Sequence, residues 1–121
     1  MQSKIKNELG AINIENEVIS RIAGLTAMEC YGVVGMAAKS IRDGFVHLLK
    51  IESLSKGIEL KTLENGELII GLHIIVDYGT NLAAIADTLQ SNVRYKVEES
   101  VGMSVREVNI YIESVRADTE V

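Results

Sequence analysis

The chain has no proline, no tryptophan, one phenylalanine and one cysteine in its 121 residues. Without proline it holds no proline-rich linker or low-complexity arm. With only four tyrosines besides Phe45, its core must be built from Val, Ile, Leu, Ala and Met. A lone Cys30 excludes an internal disulfide and points to a reducing compartment. The longest apolar run, LIIGLHIIV at 68–76, contains a histidine. It is too short to cross a bilayer as a helix, which needs about 20 apolar residues. The opening MQSKIKNELG has no apolar stretch of the signal-peptide kind, so a cytoplasmic protein is expected.

Positive charge is also short, and unevenly so. Residues 1–60 carry seven basic and seven acidic side chains, residues 61–121 five and ten. The net charge of −5 therefore comes from the second half. An acidic surface repels a phosphate backbone, so nucleic acid is disfavoured as a partner.

What is present reads as one domain, 1–121, with a core over about 9–116 and short polar tails. AINI at 11–14 is a strand candidate. Asn16 is placed to cap a helix whose apolar side is Val18, Ile19, Ile22, Ala23, Met28 and Cys30. Gly24 inside that helix implies that something packs close to it, and Gly32 reads as its stop. Residues 38–51 repeat the helical period, with Ile41, Phe45, Leu48 and Leu49 on one side. Lys39, Arg42, Asp43, His47 and Lys50 fall on the other.

IELKTL at 58–63 alternates, and Asn65-Gly66 marks a tight hairpin turn into ELIIGLHIIVD at 67–77. That second strand is apolar on both faces, which predicts a central strand covered twice. Its second cover is either the helix at 38–51 or another chain. Gly71 within it predicts the close approach of another backbone. A helix follows from about 81 to 101 on the stripe Leu82, Ile85, Ala86, Leu89, Val93, Val97 and Val101, and Gly102 ends it. SVREVNIYIESV supplies a last alternating strand. The expected fold is α+β: a small mixed β-sheet with two long helices on one face. The order is β-α-(α)-β-β-α-β, a single-layer sandwich.

Reactive chemistry finds little support. His47, His73 and Cys30 have no metal-ligand spacing. Cys30 falls near a helix C-terminus, where the dipole disfavours a thiolate. Ser53, Ser55 and Ser91 have no evident base beside them, and Glu98-Glu99 reads as a solvated face. No phosphate-loop pattern occurs, so no catalytic, metal or cofactor residue is assigned.

One glycine pair remains, in Gly32-Val33-Val34-Gly35. A GxxG loop between two helices clamps nucleotide backbones in KH-like modules, and Lys39, Arg42, Lys50 and Lys56 lie nearby. Two valines, however, offer phosphate neither charge nor a side-chain hydrogen bond. The favoured alternative is a turn at Gly32 and Gly35 that presents Val33, Val34 and Met36 to the core or to an apolar partner. With Ile41, Phe45 and Leu48, those residues form the expected partner-binding surface.

Four strings in combination resemble the alkaline-shock-protein family of Gram-positive envelope-stress proteins, within it the small YloU-like branch. They are IENEVISRIAG at 14–24, YGVVGMA at 31–37, VDYG at 76–79 and VGMSVREVNIYI at 101–112. The resemblance spans about residues 9–116. It implies a small, self-associating, non-enzymatic protein of cell-envelope homeostasis. It further implies that a separate membrane-anchored protein holds it at the inner membrane face. A neighbouring kinase of the dihydroxyacetone and fatty-acid type is a further implied partner. The resemblance transfers no catalytic residues.

Overall fold

The computed structural model describes residues 2–38 and 51–117. Two strands, β1 (Gln2–Asn7) and β2 (Gly10–Glu15), form an antiparallel hairpin of their own. The sequence predicts only β2, because QSKIKN carries a single apolar residue and shows no alternation. The first helix, α1, spans Asn16–Met28. Asn16 is not its cap: Glu15 holds the N-cap position, and the Asn16 side chain accepts from Ser3 Oγ at 3.3 Å. That bond ties β1 to the helix entry, and Ser3 Oγ also lies 2.9 Å from Thr62 Oγ1.

The expected turn at Gly32–Gly35 is half right. Gly32 has φ +90° and turns the chain, but Val33–Met36 is a strand, β3. Gly35 sits within β3 opposite Ile75, next to an irregularity in the ladder. The expected helix at 38–51 falls almost entirely outside the described residues. A short 3-10 helix, Ile51–Gly57, leads into β4 (Ile58–Thr62). Leu54 of that 3-10 helix lies under α1. A Cβ on Gly24 would stand 3.1 Å from Leu54 Cβ, so the small residue lets the two segments touch.

The central strand is β5 (Leu68–Asp77). On one edge it pairs antiparallel with β4 through residues 68–72 and with β3 through residues 74–76. On the other edge it pairs parallel with β6 (Val105–Arg116). Parallel neighbours need a crossover, and α2 (Leu82–Val101) supplies it. The hairpin between β4 and β5 closes with Gly66 at φ +89°, its N–H donating to Leu63 O. At the far end of α2, Gly102 at φ +80° donates its N–H to Glu98 O.

The fold is α+β, with both helices on one face of a mixed sheet. Leu68, Ile70, Leu72, Ile74 and Val76 point to that face and are fully buried. They share one core with Ile19, Ala23 and Ala27 of α1 and with Leu89, Val93 and Val97 of α2. A period of two on β5 thus meets helical stripes. Asn81 caps α2, its Oδ1 accepting from Ala84 N at 3.0 Å. Asn81→Ala should cost about 1 kcal/mol, read as a lower denaturation midpoint at unchanged slope.

Candidate functional site: a surface notch and a buried histidine

Of the residues considered for reactive chemistry, Cys30 is a core thiol. Its Sγ donates to Thr26 O at 3.6 Å and accepts from Asn92 Nδ2 at 3.5 Å. Among the described residues no group of three or more His, Cys, Asp or Glu side chains could hold a metal ion.

Two of the four resembling strings meet in space. Val33 pairs with Val76, and Asp77 N donates to Gly32 O at 2.9 Å. YGVVGMA and VDYG therefore build one corner, where β3, β5 and the entry to α2 converge. Tyr31 precedes the joining bond on one side and Tyr78 follows it on the other. Both rings are largely in solvent, at 86 % and 72 % exposure. Tyr78 N is held by Arg116 O at 2.8 Å, and Thr80 Oγ1 donates to Asp77 O at 2.7 Å, so the backbone beneath is fixed.

Beside Tyr31 opens a notch of about 150 Å³ lined by Tyr31, Thr80, Asn81, Ala84, Ile85 and Thr88. Its wall depends on Gly32. A Cβ there would stand 2.4 Å from Ile85 Cδ1. The notch is too small for a cofactor, whose sites run to roughly 300–1,000 Å³. A cavity of about 150 Å³ accommodates a group of benzene size, hence one apolar side chain.

A second constellation lies on the sheet face turned away from the helices. His73 faces that side and is 7 % exposed. Its Nδ1 lies 2.5 Å from Glu113 Oε2 on β6, and its Nε2 2.8 Å from Glu59 Oε2 on β4. The Tyr111 ring stacks on the imidazole, centroids 4.6 Å apart and planes 15° from parallel. Gly71 makes room for this. A Cβ there would meet Glu59 Oε2 and Tyr111 Cε2, each at 3.2 Å. The close approach expected at Gly71 is thus made by two side chains, not by a backbone.

Glu59, Tyr111 and Glu113 do not stand out in the sequence. The hairpin turn carries a signal for Glu59, since it sets the register that puts Glu59 opposite Gly71. Glu113 depends on the parallel register with β6, for which no local signal exists.

Only half of the expected partner-binding residues are among the described ones. Val33 and Met36 belong to the core, Met36 with no exposed surface, and only Val34 of the three is partly exposed. Ile41, Phe45 and Leu48 lie outside the described residues, as do Lys39, Arg42 and Lys50. Lys56 is exposed on the 3-10 helix. The KH-like clamp is not formed at Gly32–Gly35. Val33 N donates to Cys30 O, and Gly35 is paired with Ile75, so this backbone is committed to the fold.

Comparison with known proteins assigns the class. The chain belongs to the alkaline-shock-protein family, described as having a cell envelope-related function, whose profile matches residues 4–117. It is the family that the four strings resemble. Within it the chain is similar to YloU of Bacillus subtilis (strain 168), 40% identical over 96% of this chain and 97% of that protein. It is 30% identical to YqhY of the same organism, over 93% and 82%. A Streptococcus pyogenes protein named "Stress response regulator gls24 homolog" is 22% identical, over 88% and 59%. No solved structure matches the chain.

Proposed function

We propose that this protein is a non-catalytic adaptor of the envelope-stress response, which works by docking another protein and by self-association. One observation carries the reading. Two of the four strings that resemble the family converge on a corner with two exposed tyrosines, one of which, Tyr31, lines a notch of side-chain size with no reactive group in its lining. Tyrosine and other aromatics concentrate binding energy at protein interfaces. The rim of Thr80, Asn81 and Thr88 adds uncharged hydrogen-bonding groups, which suits a partner that inserts one apolar side chain. Among the described residues no helix is long and apolar enough to cross a membrane. A place at the inner membrane face would then come through a membrane-anchored partner.

The test replaces both Tyr31 and Tyr78 by serine and, separately, puts a photo-crosslinking residue at position 31. Circular dichroism and the melting temperature should stay within a few degrees, because both rings are exposed. Irradiation in the native host should give a discrete adduct that the Tyr78→Ser change weakens several-fold. An adduct of twice the chain mass names a second copy as the occupant, and a heavier mixed adduct names another protein. No adduct above background would sink the docking surface.

A further inference from the structure

Three groups from three strands stand in one row across the sheet face turned away from α1 and α2: Glu59 on β4, His73 on β5 and Glu113 on β6. Two hydrogen bonds in a carboxylate–imidazole–carboxylate row require two shared protons, wherever each proton resides. A neutral imidazole beside two carboxylates supplies only one, since it donates from one nitrogen and accepts at the other. We propose that this row is a proton-operated strap. Charged with two protons it ties β4 to β6 across β5. When one proton is lost, a lone pair faces a carboxylate and one arm lets go.

Exposure decides which arm moves. The Glu59 side chain is 52 % exposed and the Glu113 side chain 21 %, so the freed Glu59 reaches water at less cost. Glu59 also leans over Gly71 and lines a depression of about 300 Å³ with Leu60, Lys61, Ile69, Asn109 and Tyr111. Its departure uncovers Gly71 and leaves a carboxylate beside Lys61. The strap thereby couples the proton to the shape and charge of this face.

Other groups bearing on the ring are few among the described residues. From β4 they are Glu59 and Lys61, and from β6 Tyr111 and Glu113, with Glu107 further along the strand. On β5 the same-face neighbours are Gly71 and Ile75, which do not titrate. At the remaining edge the chain offers backbone, Ala37 N donating to His73 O. The ring cannot simply rotate away, because Tyr111 stacks on it.

Nitrogen-15 spectra of the imidazole, recorded over a series of pH values at which circular dichroism shows the fold intact, test the strap. Both ring nitrogens should be protonated at the acid end and one at the alkaline end. The amides of Glu59, Gly71 and Tyr111 should shift in step with the ring. Glu59→Gln, which can still fill the site, should abolish the concerted amide shifts, and so should His73→Gln. A ring that changes protonation while β4 and β6 amides stay still would refute the strap. A ring with one protonated nitrogen throughout would refute it too.

Discussion

Gly32→Ala should lower the stability of the fold by about 2–6 kcal/mol, although it adds one methyl group. Two separate costs combine. At φ +90° a residue with a Cβ is strained by about 1–3 kcal/mol. The new Cβ would also sit 2.4 Å from Ile85 Cδ1 and 2.9 Å from Ile85 Cγ1. Relieving such overpacking costs about 1–3 kcal/mol more. The two costs can be told apart by adding Ile85→Val, which removes Cδ1 and by itself costs about 0.5–1.5 kcal/mol. If steric crowding contributes, the double variant should be less damaged than the sum of the singles by roughly 1 kcal/mol. Strict additivity in denaturant titrations would leave backbone strain as the sole cause.

Met36→Asp should abolish cooperative folding, whereas Val34→Asp should leave a folded chain. Met36 is fully buried in the core between sheet and helices. A carboxylate there has no partner, and the penalty, several kcal/mol, consumes most of the roughly 5–15 kcal/mol that hold a domain together. Val34 is partly exposed, so its aspartate can reach water at a cost of about 1 kcal/mol. Val34 is also the only member of the Val33, Val34 and Met36 set available to another chain. Light scattering on Val34→Asp therefore reports whether β3 takes part in self-association, through a lower mass at unchanged circular dichroism. A Met36→Asp chain that melts like the wild type would contradict the placement of β3.

The residues of β3 do not announce a strand. Four residues between two glycines carry no period that separates a strand from a turn, and valine favours either a strand or a buried plug. The decision comes from outside the segment. The edge of β5 beyond β4 is open over residues 74–76, and β3 completes it. The N-terminal hairpin is hidden in the sequence for a related reason. Its first strand is recruited by pairing with β2 and by Ser3, not by its own polarity.

The notch beside Tyr31 is half legible. Tyr31 and Tyr78 both stand inside the family strings, but nothing local shows that residues so distant in the chain share a corner. The Gly32–Asp77 bond that brings them there belongs to the end of the β3–β5 ladder. The histidine row is less legible still. His73 can be assigned to the second face by the period of two along its strand, yet its partners lie 14 residues upstream and 40 downstream.

The amino-acid order alone determined the two helices' apolar stripes, the hairpin turn, the stop at Gly102, the α+β class and the family. Each follows from side-chain period or from a backbone preference acting over a few residues. Tertiary structure alone decided that β3 is a strand, that Val33 and Met36 are core, and that Glu59 and Glu113 bracket His73. Those facts depend on strand register across long loops and a helical crossover, where pairing energy is shared by the whole sheet and no short stretch encodes it.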